Sequence, residues 1–105
     1  MSRRNNKWKF LLVNQCGNKS YDQIKFERQS LVRELEMQGH EVLETVFDDF
    51  SNEKTPIYYL AKSIEILDKA DRVIFMQGWE NARGCLIEYQ IAKCYGKEIL
   101  ILGGF

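Results

Sequence analysis

The chain has 105 residues, 45% of them hydrophobic and 29% charged, with a single proline; that is room for one small domain with a core and too little for two. Fifteen basic and fifteen acidic side chains cancel, which argues against a nucleic-acid or anionic-membrane partner held by a global field. No apolar run approaches the ~20 residues of a membrane span, and Phe10-Leu-Leu-Val13 is too short for a signal-peptide core.

The remaining totals point inside the cell. Cys16, Cys85 and Cys94 are odd in number and lack metal-ligand spacing, so they read as free thiols in a reducing cytoplasm. No metal site and no cofactor are expected. The one basic cluster, Arg3, Arg4, Lys7 and Lys9, reads as a solvated arm, with residues 1–6 a flexible tail on a domain spanning 1–105.

Lys7 to Asn14 holds a nearly continuous apolar run, the signature of a strand buried on both faces of a parallel sheet. The polar loop after it contains Gly17 but no dinucleotide-binding glycine pattern. Ser20 to Gln38 predicts a helix with Ile24, Leu31 and Leu35 facing inward and Phe26 and Met37 outward. Gly39 is placed to end it, and His40 to cover the helix end rather than to catalyse. A second strand is expected over Glu41 to Phe47. The polar connection after it carries Asp48 and Asp49 at the edge where open α/β sheets place their ligands.

Thr55-Pro56 predicts a helix start. Its inner stripe is expected to be Ile57, Leu60, Ala61, Ile64 and Leu67, with Tyr59 and Ile66 on another face as a weak oligomer contact. Asp71 precedes the third strand and is placed to bond turn amides. The strand Val73 to Gln77 runs into Gly78-Trp79-Glu80-Asn81, a third helix opens near Ala82 or Arg83, and a fourth strand covers Glu98 to Leu102. The order β-α-β-α-β-α-β predicts a four-stranded parallel sheet with helices on both faces, a single three-layer, Rossmann-like α/β sandwich.

One carboxylate in the third helix needs a reason. Ile87, Ile91, Cys94 and Tyr95 form the stripe expected to face the sheet, while Leu86, Tyr89 and Lys93 point elsewhere. Glu88 projects within about 60° of Ile91 and about 20° of Tyr95. Gly84 lies one turn back on the same side and leaves the neighbouring surface without a side chain. Burying an ionised carboxylate costs several kcal/mol unless it is paired or takes up a proton, and a helix N-terminus returns only ~0.3–1 kcal/mol at exposed sites. A neighbour, an open cleft or a ligand is needed to favour the placement.

Ala70-Asp71-Arg72-Val73-Ile74, then Gly78-Trp79-Glu80-Asn81-Ala82-Arg83-Gly84-Cys85-Leu86-Ile87-Glu88, Ala92 and Gly96-Lys97 resemble the signature of the nucleoside 2-deoxyribosyltransferase-like superfamily. The closest likeness is to its branch of short bacterial and phage proteins with a Gly-Trp-Glu-Asn-Ser-Arg-Gly-x-x-x-Glu motif. The resemblance implies a flavodoxin-like fold, often assembled into homodimers or larger oligomers, and a small-molecule nucleoside or nucleotide as ligand. It implies Glu88 as a nucleophile that cleaves or transfers an N-glycosidic bond, with Asp48 or Asp49 as the acid. It also implies a ligand site drawn from Asn14, Cys16, Gly17, Gly78, Trp79, Asn81, Arg83 and Gly84, with Trp79 stacking on base or sugar and Arg83 with the Gly84 amides holding a phosphate. Ala82 stands where the branch has serine and where several family enzymes have aspartate, and Asn14-Gln15-Cys16-Gly17 replaces the usual glycine turn. The alternative is a binding protein on the same fold that captures a nucleotide-like ligand without turnover, as a sensor, sponge or phage accessory factor.

Overall fold

The computed structural model describes residues 7–14, 21–43 and 55–102. The expectations for the basic tail at 1–6, for Cys16 and Gly17, and for Asp48 and Asp49 lie outside these residues.

The described residues form, in chain order, β1 (Lys9–Val13), α1 (Tyr21–Met37), β2 (Glu41–Leu43), α2 (Pro56–Leu67), β3 (Arg72–Phe75), a 3-10 turn (Trp79–Asn81), α3 (Arg83–Cys94) and β4 (Glu98–Ile101). The strands form one parallel sheet in the order β2-β1-β3-β4. β1 occupies the middle of the sheet with β3, and its last four residues, Phe10 to Val13, are all buried. The outer strands β2 and β4 are more exposed.

Alternation along the strands divides the interior into two cores. Phe10, Leu12 and Ile74 pack with Leu35 of α1, joined by Leu31 and Val32. Leu11, Val13, Val73 and Phe75 pack on the other face with Leu67 and Ala70 at the end of α2 and Cys85 and Ala92 of α3. The molecule is thus a flavodoxin-like three-layer α/β sandwich, with α1 on one face and α2 and α3 on the other.

Local chemistry sets the helix ends. Gly39 at φ 91° takes the left-handed conformation after α1, and the His40 N–H returns to the Leu35 carbonyl at 3.0 Å. The His40 side chain does not cover the helix end. Its Nδ1 accepts the Trp8 N–H at 3.1 Å, and its ring meets Phe10 edge-on, tying α1 to β1. Thr55 caps α2, its hydroxyl oxygen accepting the Tyr58 N–H at 3.1 Å, with Pro56 in the first turn. Asp71 reaches beyond its own turn: its Oδ2 accepts the Lys9 N–H at 2.8 Å.

Two helices are rotated relative to the stripes expected of them. In α2, Leu67 is buried and Leu60 and Ile64 are half-buried as expected, but Ile57 is 75% exposed and Ala61 is exposed, whereas Ile66 packs on the core and Tyr59 is half-buried. Apolar residues occur nearly all round α2, so its composition does not select a face. In α3, Ile87 and Tyr95 are 43% and 78% exposed and Cys94 is exposed. The inward side is Cys85, Glu88 and Ala92, with Tyr89 and Ile91 partly buried against the core. Small side chains at Cys85 and Ala92 let the helix lie close to sheet and neighbour, which turns the larger Ile87 outward.

Candidate functional site

β1 ends at Val13, where Asn14 is buried at the carboxyl edge of the sheet, the edge that collects ligands in open parallel sheets. A cleft of about 280 Å³ opens there, just under the ~300–1,000 Å³ usual for small-molecule sites. Leu12 and Val13 of β1 with Asn14 just after it, Arg28 of α1, Tyr59, Leu60 and Ser63 of α2, and Gly84, Cys85 and Glu88 of α3 surround it. A depression of about 600 Å³ along Asp22, Lys25, Gln29 and Arg33 is lined by α1 alone and brings no second element to a ligand.

Glu88 is 7% exposed. Burial pushes its carboxyl up from 4.5 to about 7, against the opposing pull of the Ser63 hydrogen bond and the Arg28 charge. Desolvation wins because a carboxylate between two helices loses most of its water. The rise brings its proton affinity close to neutral pH, the range suited to acid or base work. Among the described residues that line the cleft, Arg28 is the one cation.

Gly84 also lines the cleft. A Cβ there would meet Leu60 Cδ1 at 3.7 Å, an ordinary contact, so the fold has room for alanine and the missing side chain serves the open space. Gly84→Ala is expected to raise stability by up to ~1 kcal/mol through helix propensity while narrowing the cleft. Thermal unfolding paired with ligand binding checks this, and a variant that loses stability would show that the glycine serves packing.

The remaining residues of the expected site divide. Asn14, Gly84 and Glu88 come together around the cleft. Trp79 does not: it is 8% exposed, stacked on Tyr89 at 5.0 Å with a 29° tilt and packed on Phe75 at 5.0 Å. Both core aromatics claim the indole, so the expected stacking on a base is replaced by a core role. Gly78 at φ 94° turns the chain into the 3-10 segment, where a Cβ would be strained. Asn81 and Arg83 are exposed and lie outside the cleft lining. Ala82 ends the turn in an extended conformation and precedes α3 without a side-chain cap.

Arg28, Ser63 and Tyr59 are the residues that the sequence reading missed. Arg28 is the clearest: it lies one turn after Ile24 and one before Leu31 on the inward stripe of α1, a charge in an apolar row. The same signal singled out Glu88.

Fold and site together define a class, a flavodoxin-like α/β protein with a buried carboxylate in a cleft at the carboxyl edge of its sheet. The chain belongs to the family described as Domain of unknown function (DUF4406), which matches residues 14–101. No curated protein and no solved structure matches it. Among the described residues no helix is long and apolar enough to cross a membrane, and no group of three or more His, Cys, Asp or Glu is placed to hold a metal ion.

Proposed function

We propose that the cleft binds a nucleoside or nucleotide and that Glu88 cleaves or transfers its N-glycosidic bond, as the likeness to the nucleoside 2-deoxyribosyltransferase-like superfamily implies. The observation that carries this reading is Glu88 itself: a carboxyl held at 7% exposure in the wall of a cleft, with its proton affinity raised to about 7. Burial there disfavours the ionised form of a merely structural glutamate more than Ser63 and Arg28 favour it, whereas a group that must meet an electron-poor anomeric carbon benefits from a water-poor site.

In the proposed reaction an ionised Glu88 oxygen forms a bond to the anomeric carbon. The carbon–nitrogen bond breaks, its electron pair leaves with the base, and the base nitrogen takes a proton from an acid, for which Asp48 and Asp49 are the candidates. Water or a second base then attacks the glycosyl ester and frees Glu88. Arg28 and Ser63 favour the ionised carboxylate required for the first step.

A second reading, ligand capture without turnover, is favoured by Ala82, which leaves α3 without a side-chain cap beside the cleft. Incubation with a panel of deoxynucleosides and deoxynucleotides, followed by chromatography for free base, separates the two. Base release that rises with pH through about 7 and falls on the order of 10³-fold or more in Glu88→Gln is the expected result. Ligand retention without base release, unchanged in Glu88→Gln, selects capture.

A further inference from the structure

The cleft has two chemically distinct ends. Arg28, 6% exposed, donates from Nε to Asn14 Oδ1 at 2.9 Å, and from Nη2 to the same oxygen at 2.7 Å and to the Leu12 carbonyl at 2.8 Å. A buried guanidinium is costly unless paired, and these bonds fasten α1 to the end of β1. Ser63 of α2 bonds the Glu88 carboxyl, which also feels the Arg28 charge. The polar groups of the lining thus gather about Glu88. Pro56, Leu60, Ala82 and Gly84, which line the cleft at the starts of α2 and α3, bring no polar side-chain atom.

α2 and α3 pack on one face of the sheet and each crosses back between parallel strands, so they run side by side in the same direction. Two contacts fix their relative level. Leu60 Cδ1 stands 3.7 Å from the point a Gly84 Cβ would occupy, and Ser63 meets Glu88. Ser63 follows Leu60 by three residues and Glu88 follows Gly84 by four. At a rise of ~1.5 Å per residue the two levels are about 5–6 Å apart, one helical turn. Leu60 and Gly84 therefore make a step of apolar surface one turn nearer the helix starts than the carboxyl. Outside α3 and among the described residues, no other atom comes within 4 Å of that Cβ point.

We propose that Leu60 and Gly84 form the platform on which the leaving base lies, with Gly84 the specificity-determining residue and a one-ring base the group it takes. This rests on the reading of Glu88 as the group that attacks the anomeric carbon. The base is bonded directly to that carbon, so its ring has to lie within about one helical turn of the carboxyl, and the platform is at that distance. The flat face of a base packs against Leu60 and bare backbone as any aromatic surface does, while the hydroxyls of the sugar fall to the polar end. Trp79, held between Phe75 and Tyr89, leaves this seat to aliphatic surface. Glycine keeps the step flat; a methyl group there would stand where the ring rests. The volume sets the size of the ring: about 280 Å³ has to hold sugar and base together, below the ~300 Å³ at which small-molecule sites usually begin, which favours one ring over two fused rings.

NMR titration of the full-length Glu88→Gln chain, in which turnover is slowed on the order of 10³-fold or more, tests this with 2-deoxyribose, deoxycytidine and deoxyadenosine. Deoxycytidine is expected to bind about tenfold tighter than 2-deoxyribose, the effect of packing one ring, and tighter than deoxyadenosine. Adding Gly84→Ala, for which the fold has room, is expected to weaken deoxycytidine binding about tenfold or more, as one ill-placed carbon does in a fitted pocket, and to leave 2-deoxyribose binding unchanged. Equal deoxycytidine affinity with and without Gly84→Ala overturns the platform, as does a loss that falls equally on 2-deoxyribose. Deoxyadenosine bound as tightly as deoxycytidine overturns the one-ring limit. Deoxycytidine bound no tighter than 2-deoxyribose overturns the platform and leaves the sugar reading of the cleft standing. Failure of all three to bind overturns that reading and the platform with it.

Discussion

Glu88→Gln is expected to be more stable than the wild type at pH 8, by up to about 3 kcal/mol, and no more stable at pH 4. The sign follows from protons. The Glu88 carboxyl titrates near 4.5 when exposed and near 7 in the folded protein, so between these values the folded chain holds the proton more often than the unfolded one. Stability contributed by the protonated group is fully present below pH 4.5 and is lost as pH rises through about 7. The interval between the two values corresponds to about 3 kcal/mol, already net of the favourable effects of Ser63 and Arg28. Glutamine keeps the shape and never ionises, so it escapes the loss. Urea unfolding of both proteins at pH 4 and pH 8 measures it. A glutamine variant less stable than the wild type at pH 8 would show that the partners of Glu88 outweigh its burial. A gain in stability accompanied by loss of base release would identify Glu88 as a group held against the interest of the fold.

Trp79→Ala is expected to cost about 3–5 kcal/mol, the range for deleting a large buried aromatic. The indole fills the space between Phe75 of β3 and Tyr89 of α3, so its removal opens a cavity at the joint that orients α3. Trp79→Phe is expected to recover most of the loss: it retains a ring and drops an Nε1 that has no hydrogen-bond partner among the described residues. Equilibrium unfolding of the two variants decides between this role and a ligand-stacking one. A near-neutral Trp79→Ala with weakened nucleoside binding would return the ring to the site.

These two residues show how unevenly function was legible. Trp79 and Glu88 stand in the same short motif and look equally exposed to a ligand when read along the chain. Packing sends one into the core and the other to the cleft wall. Glu88 was legible because a carboxylate bordering an apolar helical stripe has a cost that something must offset. Arg28 displays the same anomaly between Ile24 and Leu31, yet its meaning lay in Asn14, 14 residues away in sequence. No local pattern expresses that pairing. Tyr59 and Ser63 were hidden by α2, whose apolar residues occur on all sides, so only the neighbour it meets selects a face.

The sequence by itself determined the order of strands and helices, the parallel sheet, the burial of β1 and the stop after α1 at Gly39. Each of these is settled by short-range chemistry: hydrophobic period, capping side chains and the conformational freedom of glycine. Only the tertiary structure decided which faces of α2 and α3 turn inward, that Trp79 belongs to the core, and that Arg28, Asn14, Ser63 and Glu88 share one cleft. Those outcomes depend on close packing between elements distant in sequence, where small residues such as Cys85 and Ala92 set how near two surfaces approach.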